Sequence, residues 1–300
     1  MSATITYTSC PVCHSPRISG VLEVTDYTVS HNVFSVWHCA ECTARFTQYA
    51  PAEPYIGKFY QSQDYISHTD TRKGLINSLY HRVRKITLRS KARLVSGIFR
   101  GRKGRLLDYG AGTGAFAATM QQQQWTVTGV EPDEAARSIA QKKYRLNLLT
   151  PAAFNGLENQ QYDVITLWHV LEHIHDLHGT LNKFSRSLVP GGHLLIAVPN
   201  YTSYDARVYQ QYWAAYDVPR HLYHFSPAAI RHLMTQHGFS ITEQKPMWFD
   251  SFYVSMLSEQ YKNGKSGLVR AVLTGLLSNL KALFIPATCS SVIYICKKNS

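Results

Sequence analysis

The stretch that decides the fold reads Arg105-Leu-Leu-Asp108-Tyr109-Gly110-Ala-Gly112-Thr-Gly114-Ala-Phe116. A short apolar run ends in an acid, passes three glycines at every second position, and opens into small helix-forming residues. Glycine permits a tight strand-to-helix turn and lets a ligand approach the backbone closely. Taken alone, Gly110-x-Gly112-x-x-Ala115 also fits the fingerprint that seats a dinucleotide pyrophosphate. Asp108 discriminates. A carboxylate so close to the first glycine faces a cationic amine, and a pyrophosphate has no use for it.

Working outward, Thr126-Val-Thr-Gly-Val130 is a second strand that ends at Glu131-Pro-Asp133. A carboxylate at that strand end can accept hydrogen bonds from a ribose diol. Tyr162 to His169 reads as a buried strand running into a loop. Leu188 to Asn200, with Pro190-Gly191-Gly192, reads as a helix end, a turn and a further strand. Strands alternating with helices predict a largely parallel sheet covered on both faces. Ligands in such sheets sit at the carboxyl ends of the strands, where Asp108, Glu131 and His169 converge.

In this order and spacing, DYGAGTG (108–114), GVEP (129–132), YDVITLWHVLEH (162–173) and LVPGGHLLIAVPN (188–200) resemble class I S-adenosylmethionine-dependent methyltransferases. The ubiquinone/menaquinone-type branch is the closest pattern, over residues 100 to 245. The resemblance implies an α/β fold: a doubly wound, Rossmann-like, seven-stranded and mostly parallel sheet with an antiparallel last strand at Ser290–Lys297. It also implies that the loop from Asp108 to Gly114, with Tyr109, Gly110 and Gly112, contacts the methionine part of the cofactor. Glu131 would hold the ribose hydroxyls, and the loop at His169 would lie beside the cofactor. Many relatives place an acid and a glycine after the third strand to bind adenine, whereas this chain continues Leu149-Thr150-Pro151-Ala152.

Ahead of this region stand Cys10-Pro-Val-Cys13 and Cys39-Ala-Glu-Cys42. Two residues between cysteines let a turn aim both thiolates at one ion, and two such turns complete a tetrahedron. Val21–Ser30 and Asn32–His38 form a hairpin pattern between them, so a small zinc ribbon with a structural Zn2+ is expected. Two disulfides are disfavoured in the cytosol, and a redox pair needs only one such motif. Cys289 and Cys296 lie in an apolar, strand-like end and read as buried thiols. A zinc ribbon ahead of this domain is similar to the arrangement in certain sugar and natural-product methyltransferases, whose substrates are often nucleotide sugars or other small metabolites.

Charge is unevenly placed. The 300 residues carry 31 Lys and Arg against 19 Asp and Glu, a formal +12. Twelve of the basic residues, and no acid, fall between Thr71 and Leu107, so the remainder is neutral. A protein that coats nucleic acid spreads its charge over a surface, which disfavours that class. Apolar residues at 75, 76, 79, 80, 83, 86, 94 and 98 mark one side of a helix, with Arg82, Lys85, Arg89 and Arg100 opposite. Two readings stay open: a plain solvated face, or a surface for an anionic substrate, a carrier, a membrane or a nucleic acid. The expected organisation is a zinc-ribbon-like module at 1–50, a basic helical connector at 51–103 and the methyltransferase domain at 104–300. Neither a secretory signal nor an 18-residue uncharged apolar run is visible, so a cytoplasmic location is expected.

Methyl transfer needs a positioned nucleophile and often a proton acceptor. The segment Gln211–Phe225 is dense in His, Tyr, Trp and Arg. It offers His221 and His224 as general base and Arg220 for an anionic group. His169-x-x-Glu172-His173 matches an inverted zinc-protease motif, but that chemistry needs both histidines on one helix. Trp248–Leu257 and Leu268–Ile285 are late apolar stretches, explained most simply by packing between the last two strands, with a membrane interface as the other account. The reaction expected is methylation of an oxygen or carbon on a small, sugar- or phosphate-bearing molecule. The alternative is an RNA methyltransferase docking through the ribbon and the basic helix. Neither an Asp/Asn-Pro-Pro-aromatic motif nor a Pro-Cys nucleophile supports it.

Overall fold

The computed structural model describes residues 4–60, 75–265 and 267–299. The side chains of Arg72, Lys73 and Arg82, part of the basic segment, lie outside the described residues. The strands are β1 (Ile18–Thr25), β2 (Val33–Cys39), β3 (Arg45–Gln48), β4 (Arg105–Tyr109), β5 (Thr126–Val130), β6 (Tyr162–Trp168), β7 (Leu188–Pro199), β8 (Tyr223–His224), β9 (Phe239–Pro246) and β10 (Ser291–Lys298). The helices are α1 (Glu53–Ile56), α2 (Leu75–Ile98), α3 (Ala115–Gln122), α4 (Glu134–Tyr144), α5 (Pro151–Asn155), α6 (Leu177–Ser187), α7 (Tyr204–Tyr209), α8 (Pro227–Gln236), α9 (Asp250–Asn263) and α10 (Leu268–Phe284). Their contacts divide the chain into two units that interleave in sequence. One comprises Met1–Thr71, Leu171–His178 and Ala197–Tyr294; the other comprises Arg72–Val170, Gly179–Ile196 and Ile295–Ser300.

The expected α/β, mostly parallel sheet is present, in the order β5-β4-β6-β7-β10-β9. Strands buried on both faces must be apolar throughout, and Leu106, Leu107, Val164, Ile165 and Leu167 are all fully buried. β4 pairs in parallel with β5 and with β6, Leu107 standing opposite Thr128 and Ile165. β10 is antiparallel to β7: Lys298 Nζ donates to the Leu188 carbonyl at one end, and the Asn200 N–H to the Ser290 carbonyl at the other.

Two expectations are corrected. Six strands replace the seven expected: the third is reduced to one parallel bridge, Val130 to Leu149, in which the Leu149 N–H donates to the Gly129 carbonyl. Only Leu146–Leu149 lie between the Arg145 cap of α4 and the Thr150 cap of α5, and Pro151 has no N–H to extend the pairing. The turn expected at Pro190–Gly192 lies inside β7 instead. Gly191 absorbs the bend at a φ of 69°, so the strand begins directly after α6.

In the second unit α2 packs Ala92 and Val95 into a core with Leu106, Phe116, Met120 and Val164. Ile86, assigned to the apolar side by periodicity, is 46% exposed. In the first unit β1-β2-β3 form an antiparallel meander, and β3 continues onto β8, with Phe46 opposite Tyr223. The late apolar stretches do not fill the space between the last strands. α10 buries Ala271, Thr274, Gly275, Ser278 and Ala282 while leaving its large apolar side chains exposed. The reason is close approach: a Cβ at Gly275 would stand 2.8 Å from the Phe252 ring, so only small residues fit beneath α9.

Asp205 of α7 organises this region. Fully buried, it accepts hydrogen bonds from Trp213 Nε1 at 2.8 Å and from the Ser278 and Ser290 hydroxyls at 2.7 Å each. Asp205→Ala strands three buried donors and should cost about 3–5 kcal/mol in urea unfolding. Asp205→Asn, keeping one acceptor oxygen, should lose roughly half of that.

Candidate cofactor loop, thiol cluster and catalytic segment

The glycine loop is built by the ends of β4 and β5. The Gly110 and Ala111 N–H groups both donate to the Val130 carbonyl, at 2.8 and 2.9 Å. Gly110 sits at a φ of 75°, and a Cβ there would meet Val170 Cγ2 at 2.3 Å. Gly114, at a φ of 78°, caps α3 where a Cβ would stand 3.0 Å from the Ala140 methyl. Gly112 differs: at a φ of 53°, a Cβ would meet nothing within 4 Å. That is the side on which a ligand can come up against the backbone.

Glu131 closes the loop. Its Oε2 accepts from the Gly112 N–H at 2.7 Å and its Oε1 from the Asp133 N–H at 3.0 Å. A carboxylate offers about four lone-pair sites, so acceptor capacity remains for hydroxyls. Burial raises its pKa, against the pull of these two donors.

Asp108 is the most perturbed group of the loop. It is 1% exposed; Oδ1 accepts from the Thr166 hydroxyl at 3.0 Å, and Oδ2 has no partner among the described residues. Burial pushes its pKa up to about 7, outweighing the Thr166 hydrogen bond and the Lys91 charge. Tyr109, next along the strand, points to the opposite face, where its ring packs edge-on against Phe154 and Phe184. Its share in ligand binding can therefore come only from its backbone. His169 follows β6 at a φ of 58°. The helical frame of a zinc protease is absent there, since Leu171–His173 form a single tight turn.

In the first unit, Cys10, Cys13, Cys39 and Cys42 come together with all four sulfurs within 4.8 Å of one another. Sγ of Cys10 is 3.6 Å from that of Cys42, and Sγ of Cys13 is 3.5 Å from that of Cys39. These are free thiols, far beyond the ~2.05 Å of a disulfide. A tetrahedral ion with bonds of about 2.3 Å holds its sulfurs about 3.8 Å apart, which this cluster matches. The Cys42 thiol stabilises a Cys10 thiolate, lowering its pKa to about 5, while burial holds Cys13 up at about 11. Crowded thiolates resist further ionisation until a cation joins them.

The segment that offers the candidate catalytic residues is also in this unit. Arg220 is 1% exposed and engaged throughout: Asp217 and Asp26 pair with it at 2.7 and 3.0 Å, the Phe59 carbonyl accepts at 2.9 Å, and the Thr28 hydroxyl adds a contact. The residue offered for an anionic group is thus a fastener between the β1–β2 turn and the 217–224 segment. His224 is buried, with Nε2 3.2 Å from the Thr47 hydroxyl, and burial drives its pKa well down. His221 donates from Nδ1 to the Ala215 carbonyl at 2.9 Å, and its Nε2 lies 3.9 Å from Asp217 Oδ2. The His173 ring lies edge-on at 4.6 Å, its Nδ1 within 3.0 Å of both the Tyr60 hydroxyl and the Arg220 carbonyl. Burial, reinforced by His221, lowers the His173 pKa to about 4. Glu172 completes a cluster with these two histidines. The sequence reading missed Glu172, His173 and Tyr60 as site residues; the dense run of histidine and acid at 169–173 was the available signal.

A family model described as a methyltransferase domain matches residues 79–244. The chain belongs to the methyltransferase domain family. The class I S-adenosylmethionine-dependent resemblance, and with it the expectation of a methyltransferase, is borne out. Over 149 residues the chain is 27% identical to an uncharacterized methyltransferase of Anoxybacillus flavithermus, covering 46% of this chain and 70% of that one. It is 33% identical over 129 residues to a ubiquinone biosynthesis O-methyltransferase of Klebsiella pneumoniae, covering 40% and 51%. The chain thus spans about half the length of that ubiquinone-biosynthesis relative. Among solved structures it is similar to the Burkholderia thailandensis 1,6-didemethyltoxoflavin-N1-methyltransferase with bound S-adenosylhomocysteine, with a TM-score of 0.48, 16% identity and coverage of 88% and 99%.

Asp108 gives the domain a distinctive pH signature. Its folded pKa is raised from 3.8, so between about pH 4 and 7 the folded chain holds a proton that the unfolded chain has lost. Its contribution to stability is full below that window and is lost as pH rises through about 7. Asp108→Asn needs no proton. The drop in urea midpoint between about pH 5 and about pH 8 should therefore be smaller in the variant than in the parent.

Proposed function

We propose that this protein transfers the methyl group of S-adenosyl-L-methionine to an oxygen or carbon of a small, anionic substrate bearing a sugar or phosphate. The observation that carries this reading is the buried Oδ2 of Asp108, without a partner among the described residues, together with the open side of Gly112 on the loop that follows it. A cationic amine satisfies the first and a ligand backed onto the loop fills the second, so the residues present fit the cofactor. Asp108 and the Gly110–Gly114 backbone would hold its methionine part, Glu131 its ribose hydroxyls, and His169 would flank it. When bound, the cofactor supplies a sulfonium methyl group open to in-line displacement. His221, its Nδ1 held by the Ala215 carbonyl, is the residue proposed as general base. His224 stays neutral beneath it, and Arg220 fixes the segment's position. On α2, Arg84 reaches the Thr113 hydroxyl of the glycine loop at 3.4 Å, and Lys91 lies over the Trp168 ring; cations near the loop support an anionic substrate.

Incubation of the full chain with cofactor and a cell-metabolite extract should yield, by mass spectrometry, a product in which one methyl replaces one hydrogen. Asp108→Ala should abolish calorimetric binding of the cofactor. His221→Asn should leave that binding intact while lowering kcat by about 10²-fold. Absence of cofactor binding by the parent protein would sink the proposal.

The four thiols hold a structural Zn2+, since four thiolates leave no coordination position for a substrate. Elemental analysis should find one zinc per chain, lost on replacing Cys13 and Cys42 together by serine. Stripping it with a chelator should lower the thermal midpoint. A metal-free protein of unchanged midpoint is the contrary result.

A further inference from the structure

Helix α10 is inverted relative to an ordinary surface helix. Its inner face is small and partly polar, while Leu268, Val269, Leu273, Leu283 and Phe284 on its outer side are between 55% and 87% exposed. α9 adds Tyr253 and Met256 on its own outer side, each about two-fifths exposed, and Trp248 and Phe249, equally exposed, lie just before it. An apolar patch of this extent on a folded chain marks an interaction site. Among the described residues no helix is long and apolar enough to cross a membrane.

The charges of the hairpin decide what covers it. Its exposed ionic residues are Lys262, Lys265, Arg270 and Lys281, all basic. Glu259 is buried and meets Arg270 at 3.3 Å. A second copy of the chain would meet this surface through a two-fold axis, patch against like patch, and so bring cations to cations. An anionic lipid surface matches both components: headgroups for the lysines and arginine, the upper acyl region for the leucines, and the boundary for Trp248 and Tyr253.

We propose that the α9–α10 hairpin docks the protein flat on an anionic lipid bilayer, its apolar outer face sunk between the headgroups. This rests on the hairpin alone and is independent of the methyl-transfer reading. The test is sedimentation of the full chain with vesicles of equal parts phosphatidylglycerol and phosphatidylcholine, and with phosphatidylcholine alone. The chain should pellet with the first at low salt and only weakly with the second. Lys262→Glu with Lys265→Glu should reduce pelleting severalfold. Leu273→Gln with Leu277→Gln and Phe284→Gln should abolish it without lowering the thermal midpoint. If that triple variant fails to fold, the charge-reversed pair still decides. Three results overturn the proposal: no pelleting of the parent at low salt, pelleting indifferent to both sets of substitutions, or a parent dimer in light scattering that the triple variant dissociates while the parent ignores vesicles.

Discussion

A guanidinium taken out of water must be met by charge and hydrogen bonds on every side. Arg220 satisfies this with two carboxylates, a carbonyl and a hydroxyl. Asp26 in turn ties down its own turn, accepting from the Thr28, Val29 and Ser30 N–H groups. Breaking such a buried pair by removing one partner costs far more than the pair contributes, because it leaves the other charge stranded. The first unit therefore tolerates little freedom around Asp217–His224, and the two histidines of that segment inherit its rigidity.

The second unit works from the opposite constraint. There the buried charge is left open on one side, and the loop around it is shaped by absences. Val170 forbids a side chain at Gly110 and Ala140 crowds one at Gly114, whereas Gly112 faces space. Structural packing fills the faces that ligand chemistry does not need, as Tyr109 shows by turning its ring into Phe154 and Phe184.

Much of this was legible in the chain. The glycine spacing, Asp108, Glu131 and the paired cysteines announce themselves because local backbone geometry and ligand chemistry both demand those residue types at short range. What escaped depends on distant partners. Nothing near Arg220 says that Asp26 will neutralise it, so an exposed anion binder and a buried fastener look alike in sequence. Leu268–Phe284 read as core because its periodicity cannot say which side of an amphipathic helix faces in; the answer lay with Phe252. The third strand shrank to a bridge because Thr150 and Pro151 were committed to starting α5.

The pairing of β3 with β8 also has a consequence for how the chain is made. The four thiols gather within the first 42 residues, whereas Arg220 reaches Asp26 across a separation of 194. During synthesis the N-terminal meander therefore emerges with all four cysteines present, but with one strand edge open and one acidic turn uncompensated. Tyr223 and Arg220 arrive only when most of the second unit has already left the ribosome. An unpaired strand edge is an invitation to foreign strands. Until Tyr223 is made, the β3 edge that it pairs has no partner of its own.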